Sequence, residues 1–97
     1  MTEMTVIARV KAKKGKEQEL AQAWSKVVGL SRKEAGCLGY VLHRSLEDRS
    51  LFVSVEKWAS KEANDQHMAS AHIQDLLRQV PDLVAAPPEI TPFEALG

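Results

Sequence analysis

Residues 4–12 read MTVIARVKA, with small or apolar side chains at every second position. Alternation with a period of two is typical of a β-strand, because successive side chains point to opposite faces of a sheet. We therefore predict a first strand over residues 4–12. One face would carry Met4, Val6, Ala8, Val10 and Ala12, and the other Thr5, Ile7, Arg9 and Lys11. Since both faces carry apolar residues, either one could be left uncovered by the rest of the chain.

A polar turn and a helix follow this strand. Residues 13–16, KKGK, interrupt the alternation, and Glu17 and Glu19 then stand where the first turn of a helix favours negative charge. The apolar residues at helical spacing are Leu20, Ala23, Trp24, Val27 and Val28. We predict a helix over about residues 16–34, with Gly36 as its stop signal.

Two further strands are predicted over residues 37–46 and 51–58, which are rich in apolar, β-branched and aromatic side chains. The polar segment 47–50, EDRS, is short enough to join them as an antiparallel hairpin. The second strand would carry Leu38, Tyr40, Leu42 and Leu46 on one side. The third would carry Phe52, Ser54, Glu56 and Trp58 on one face and Leu51, Val53 and Val55 on the other.

Two helices and a last strand complete the predicted elements. Ser60 and Ser70 are residue types that cap helix N-termini, and the apolar stripe after Ser70 indicates a helix that Pro81 is expected to end. A short strand is predicted over residues 89–93. Pro92 would confine that strand to a sheet edge or to a position that crosses to another subunit.

The predicted order β-α-β-β-α-β is that of a ferredoxin-like α+β fold, with an antiparallel sheet and its helices on one face. A chain of 97 residues fits a single domain over 1–97, and its core is thin. The second sheet face is uncovered, which favours a homodimer in which another subunit's sheet covers it.

Composition excludes several classes of protein. Thirteen basic and thirteen acidic residues give no net charge, whereas nucleic-acid-binding domains usually carry a basic excess. Cys37 is the one cysteine, so no disulfide can form within the chain and a reducing cytoplasm is expected. The N-terminal sequence lacks the order of a signal peptide, and no apolar run approaches the ~18 residues of a membrane helix.

Three histidines are the first candidates for proton transfer at neutral pH, since histidine ordinarily titrates there. His67 and His72 are five residues apart, and five residues of a continuous helix turn through about 140°. The two side chains would then diverge, so no metal site is expected unless the helix breaks at Ser70. His43, on the second predicted strand, is expected to be solvated.

Glu56 and Trp58 end the third strand on a shared face. Trp58 could wall a pocket between the sheet and the helices or simply fill the core. Glu56 would need a donor, a backbone amide or water in a dry core, and both a structural ion pair and a role in orienting substrate remain open. Cys37 has no predicted neighbouring base, so it is expected to be structural.

Four segments, taken in order, resemble the antibiotic biosynthesis monooxygenase (ABM) family, which includes small quinol-monooxygenase-like proteins. They are Lys14-Gly15-Lys16, the stretch from Glu34 to Tyr40, Glu56-Lys57-Trp58, and the stretch from His67 to His72. The resemblance covers nearly the whole chain. It implies a dimeric α+β barrel, often with exchanged C-terminal strands, and a pocket between each sheet and its helices.

The resemblance also implies an activity. Active relatives oxygenate phenols, quinols or anthrones with dioxygen and without metal or flavin, so the expected partners are a small aromatic substrate, dioxygen and a second copy of the chain. Trp58 would line the pocket with Tyr40, Glu56 would orient a partner, and His67 or His72 at the helical wall would act as the base. No cofactor is expected.

Some similar proteins have other activities, which depend on particular residues. Haem-degrading relatives use an Asn in the first strand and a His in the last helix, but Ala8, Leu76 and Leu77 stand at those places here. Haem degradation is therefore disfavoured. A non-catalytic small-molecule-binding or stress-associated dimer and a small-molecule isomerase remain alternatives.

Overall fold

The computed structural model describes residues 3–97, so Met1 and Thr2 of the predicted 1–97 domain lie outside the described residues. Four strands and three helices follow in chain order. They are β1 (Met4–Lys11), α1 (Glu17–Ser31), β2 (Cys37–Arg44), β3 (Leu51–Trp58), α2 (Lys61–Ala69), α3 (Ala71–Leu83) and β4 (Glu89–Phe93). No helix within this part of the chain has the length and apolar character to cross a membrane.

The strands form one antiparallel sheet in the order β2-β3-β1-β4, which confirms the predicted ferredoxin-like fold. β3 lies between β1 and β2, and Glu56 on it is paired with Val6 on one side and Tyr40 on the other. β4 is an edge strand of this sheet, as Pro92 requires. The register therefore places Glu56 in the middle of the sheet rather than at its edge.

The covered face of the sheet is the one that carries Val6. The alternate residues of β1 and β3 on this side are buried: Val6, Ala8, Val10, Phe52, Ser54, Glu56 and Trp58. The face that carries Ile7 is open. Val55 on that face pairs with Ile7 on β1 and with Val41 on β2, so three apolar residues lie side by side across three strands.

Pro81 does not end the last helix, contrary to the prediction. α3 continues to Leu83, with Pro81 inside its last turn. Proline removes one helical N–H, but the Val84 N–H still binds the Val80 carbonyl oxygen at 3.0 Å. Lys13 adds two hydrogen bonds. Its Nζ donates to the Pro81 carbonyl oxygen, and its backbone N–H donates to the Leu83 carbonyl oxygen. These contacts hold the helix end against the turn after β1.

β2 is shorter and less regular than predicted. It ends at Arg44, two residues before the predicted limit, and Leu46 lies in the following turn, largely exposed. A shift in register between Cys37 and Gly39 interrupts the alternation, so Leu38 is exposed although Tyr40 is buried. A bulge of this kind inserts one residue into a strand, which pattern alone does not reveal.

The predicted helix over 16–34 ends earlier, at Ser31, and a turn over residues 32–36 joins it to β2. Gly36 is not in the left-handed conformation of a helix stop, since Gly15 is the one described glycine with a positive φ, at 87°. Gly36 serves a different purpose: a Cβ built on it would lie 2.2 Å from the Cβ of Ala63 on α2. The missing side chain lets the turn pack directly on that helix.

Candidate active site

The two histidines of the helical segment converge because the helix breaks at Ser70. The Ser70 backbone is extended, and its hydroxyl accepts from the Ile73 N–H at the start of α3. The same hydroxyl donates to the His67 carbonyl oxygen at 2.6 Å, so Ser70 both ends α2 and begins α3. The divergence expected of one continuous helix therefore does not apply to His67 and His72.

Both histidines contact the same carboxylate oxygen. Oε2 of Glu34 lies 2.8 Å from Nδ1 of His67 and 2.9 Å from Nε2 of His72. The three donor atoms lie within 4.8 Å of one another, which is a spacing at which they could hold a metal ion. Glu34 comes from the turn after α1, and sequence reasoning did not single it out as a site residue.

The position of Glu34 follows from the close approach at Gly36. The Gly36 carbonyl accepts from the Ala59 N–H at 2.8 Å, and its Cα faces Ala63 without an intervening side chain. The turn that carries Glu34 is thus tied to the segment just before α2. This is how a residue 33 positions away in sequence reaches His67.

A second carboxylate lies on the other side of the His67 ring. Nε2 of His67 is 3.8 Å from Oε1 of Glu56, and His67 and Glu56 are both buried. Ser54 donates to Oε2 of Glu56 at 2.6 Å, and Trp58 Nε1 donates to Oε1 at 3.1 Å. Burial raises the pKa of Glu56, although these two hydrogen bonds and His67 act in the opposite direction.

Trp58 packs against the His67 side of this cluster. Its side chain is completely buried, and its ring lies 4.4 Å from that of His67 at an interplanar angle of 35°. The sequence left open whether Trp58 walls a pocket or fills the core. In the structure it packs against His67 and donates to Glu56, and it is not among the residues that line the cavity described next.

An apolar cavity lies between the sheet and the helices. A water-sized sphere can enter about 50 Å³ of it. Tyr40, Glu56 and His67 line one part, and the rest of the wall is apolar, including Ala8, Leu76, Leu77, Val80 and Ile90. The cavity therefore offers a mainly apolar surface with three polar groups on one side.

Tyr40 is held at the cavity by a residue that sequence reasoning did not select. Trp24 Nε1 on α1 donates to the Tyr40 hydroxyl oxygen at 2.8 Å. Burial raises the pKa of Tyr40, and the nearby Glu56 raises it further. The phenol therefore stays protonated at neutral pH.

His72 lies apart from the cavity wall. It is half-buried beside Glu34, and it borders a wider groove between α1 and α3 instead. His43 on β2 is exposed, as predicted. The Cys37 thiol donates to the Gly39 carbonyl oxygen at 3.6 Å, and burial raises its pKa, which does not favour a thiolate nucleophile.

The hydrogen bonds to Glu34 determine which ring nitrogen of His67 is free. An ionised carboxylate only accepts hydrogen bonds, so Nδ1 of His67 must carry the proton. In the neutral ring Nε2 is then an acceptor, on the side that faces Glu56. This arrangement of a carboxylate, an oriented imidazole and a free nitrogen is suited to accepting a proton.

Fold and site together define a ferredoxin-like α+β domain with an apolar cavity and a histidine–carboxylate cluster in its wall. Residues 4–79 match the family model described as antibiotic biosynthesis monooxygenase, and the chain belongs to this family. The resemblance noted in the sequence is thereby confirmed.

The chain is also similar to individual proteins of known sequence or structure. The chain is 30% identical over 87 residues to a Bacillus subtilis protein named "Putative monooxygenase YcnE", covering 90% of this chain and 92% of that protein. It is 28% identical to an uncharacterized protein, sll1783, of Synechocystis, of whose length it spans 59%. The crystal structure of PA3566 from Pseudomonas aeruginosa has a TM-score of 0.94 and 31% identity, covering 100% of this chain and 97% of that one.

Proposed function

We propose that this protein is a monooxygenase that uses no bound cofactor and oxidises a small quinol or polycyclic phenol with dioxygen, with His67 as the base. The observation that carries the proposal is the pair of contacts on the His67 ring. Glu34 holds Nδ1, and Nε2 is left as an acceptor on a residue that lines the cavity. His67 is favoured over His72 because His72 does not line this cavity.

The proposed reaction begins with transfer of a phenolic proton to Nε2 of His67. The resulting anion is electron-rich enough to reduce dioxygen directly. One oxygen atom bonds to a ring carbon of the substrate, and that carbon loses its hydrogen and becomes a carbonyl. The other oxygen atom leaves as water, which takes up that hydrogen and the proton held by His67, so Nε2 of His67 is an acceptor again. The substrate supplies all the electrons that dioxygen takes up, so the balance requires no external reductant.

The neighbouring residues have supporting roles in this proposal. Glu34 orients His67 and stabilises the imidazolium that forms when Nε2 is protonated. Tyr40, held by Trp24, and the apolar wall position the substrate ring and exclude water. Glu56 lies 3.8 Å from Nε2 of His67, so its carboxylate stabilises the proton that this nitrogen takes up. Trp58 acts through its hydrogen bond to Glu56 and through its contact with the His67 ring.

We propose further that the protein is a cytoplasmic homodimer. The open row of Ile7, Val41 and Val55 supports this, because an apolar sheet face of one subunit is well suited to cover that of another. Family membership and the relative named as a monooxygenase support the oxygenase activity at the level of reaction class.

The experiment that tests the activity is oxygen consumption by purified, metal-free protein with a panel of hydroquinones and polycyclic phenols. We expect turnover in the wild type and its loss in the His67→Ala/His72→Ala double variant. The matched control is His43→Ala, which removes an exposed histidine outside the cluster. Full activity in the double variant would remove both histidines from the mechanism.

A small-molecule-binding protein or an isomerase is the alternative, and the mainly apolar cavity wall is the observation that favours binding without turnover. In that case a phenol would bind and perturb the fluorescence of the tryptophans, while no panel compound would consume oxygen. That result would replace the monooxygenase proposal.

A further inference from the structure

We propose that Glu34, His67 and His72 form a binding site for one divalent transition-metal ion of the zinc class. Two imidazole nitrogens and one carboxylate oxygen are a donor set that Zn²⁺ binds well, leaving a fourth position for water. The donors here come from the turn after α1, from α2 and from the start of α3. Three separate segments therefore meet at one point.

The distances suit such an ion after a small adjustment. Donors held at 2.0–2.2 Å from a tetrahedral ion stand ~3.4 Å from one another. Oε2 of Glu34 is now 2.8 Å and 2.9 Å from the two nitrogens, and all three donors lie within 4.8 Å. To reach the tetrahedral spacing, Oε2 of Glu34 has to move about half an ångström farther from each nitrogen.

The surroundings of His67 supply the support that metal-bound histidines usually have. Such a histidine donates its other ring N–H to a carboxylate, which fixes the ring and raises its basicity. Glu56 lies on this side of the ring, with its Oε1 3.8 Å from Nε2 of His67, and a shift of the ring toward it would complete that hydrogen bond. Ser54 and Trp58 hold the Glu56 carboxylate in turn. Glu56 is thus placed as a positioning residue for the ion.

The site has a route to solvent. His67 is 2% exposed, whereas the side chains of Glu34 and His72 are 19% and 17% exposed. An ion can therefore reach the donors from the side of Glu34 and His72 without crossing the apolar cavity.

Metal binding would change the tautomer of His67, and this consequence rests on the proposed function. In the free protein Nδ1 carries the proton and Nε2 is the acceptor that the proposed base requires. An ion on Nδ1 displaces that proton, and the ring then carries its proton on Nε2, toward Glu56. The ion would therefore block oxygenation rather than assist it.

Binding is tested directly, without reference to turnover. Purified protein is titrated with Co²⁺ to record the absorption of a tetrahedral complex, and Zn²⁺ affinity is measured by competition with a chromogenic chelator. We expect one ion per chain in the wild type and at least about tenfold weaker binding in Glu34→Gln and His72→Ala. Glu56→Gln should weaken binding about 10- to 100-fold, as loss of such a supporting carboxylate does.

Two further variants make the result decisive. His43→Ala removes a histidine outside the cluster and should bind as the wild type does. His67→Ala removes a buried donor, so circular dichroism is used to check that this variant folds. If it does not fold, Glu34→Gln and His72→Ala are the variants that test the site. Absence of a Co²⁺ complex, or equal affinity in all cluster variants, would overturn the site.

Oxygen consumption with and without Zn²⁺ tests the blocking effect separately. With a substrate that metal-free protein turns over, saturation with Zn²⁺ should abolish the activity, and a chelator should restore it. Unchanged or increased activity with bound metal would overturn the blocking effect. If no compound is turned over, the proposed function fails while the binding result stands by itself.

Discussion

Oε2 of Glu34 lies between Nδ1 of His67 and Nε2 of His72, at 2.8 Å and 2.9 Å, and so joins the turn after α1 to both later helices. Glu34 is the residue on which the geometry of both histidines depends. In the proposed mechanism it fixes the tautomer of His67, because a carboxylate accepts from Nδ1 and cannot donate to it.

Glu34→Gln should therefore lower kcat for oxygen consumption more than it raises KM. The amide can donate to Nδ1 as well as accept from it, so part of the protein would hold the wrong tautomer. The loss should be smaller than that of His67→Ala, for which removal of a general base predicts roughly 10²–10⁴-fold. Glu62→Gln on the exposed side of α2 is the matched control. A normal kcat in Glu34→Gln would contradict the orienting role.

Gly36→Ala should destabilise the protein and disturb the site together. The added Cβ would lie 2.2 Å from the Ala63 Cβ, and crowding of this kind typically costs about 1–3 kcal/mol. Gly29→Ala is the control, because its Cβ would meet nothing within 4 Å and should stabilise α1 by about 0.5–1 kcal/mol. Unfolding in denaturant measures both changes.

A double variant tests the cause of that effect. Ala63→Gly removes the atom that Gly36→Ala would strike, so the two substitutions together should cost less than the sum of their separate effects. Turnover should recover with stability, since Glu34 would return to His67. Simple additivity would show that the close approach is not what places the turn.

Much of the fold could be predicted from the sequence, because it depends on local pattern. The alternation of β1, the hairpin of β2 and β3, and the caps at Ser60 and Ser70 all follow from residues near one another in the chain. The error at Pro81 involves a contact between residues that are distant in sequence. Lys13 binds the carbonyl oxygens of Pro81 and Leu83 and anchors the end of α3 against the turn after β1, a contact that local pattern does not reveal.

The site was less predictable, because it depends on contacts between distant segments. His67, Glu56 and Tyr40 could be selected by residue type, whereas the role of Glu34 requires knowing that Gly36 packs on Ala63. Pattern alone does not decide whether the helix breaks at Ser70. The hydrogen bond from Trp24 to Tyr40 likewise joins two elements whose relative rotation no periodicity specifies.

Alkaline titration should report the environment of Tyr40. Burial and Glu56 raise its pKa above the usual 10.0, so the folded state keeps the proton that the unfolded chain loses. Below pH 10.0 the difference in pKa between the folded and unfolded states does not change the free energy of unfolding. Above pH 10.0 the free energy of unfolding falls as pH rises. Because the chain has one tyrosine, tyrosinate absorbance reports it alone and should rise only as circular dichroism shows unfolding. Ionisation near the usual value in folded protein would contradict this.

Val55→Glu should convert the proposed homodimer to a monomer. Val55 lies between Ile7 and Val41 on the open face, and a carboxylate there would be buried without a partner against a second sheet. Light scattering after size exclusion measures the mass of the particle. Gln66→Glu on the exposed side of α2 adds the same charge away from this face and should leave the mass unchanged. A wild-type monomer would refute the proposed dimer.

Leu77→Ala should widen the cavity and change which substrates are accepted. Leu77 is half-buried in the cavity wall, and the space that a water-sized sphere can enter is only about 50 Å³. Truncation should lower KM for a polycyclic phenol more than for a hydroquinone, at a cost in stability of about 2 kcal/mol, since the side chain is partly exposed. Leu46→Ala, in the exposed turn after β2, is the matched control and should change neither property. If KM changes equally for both substrates while stability falls, the substrate ring binds outside this cavity. The groove beside His72 would then be the next surface to test.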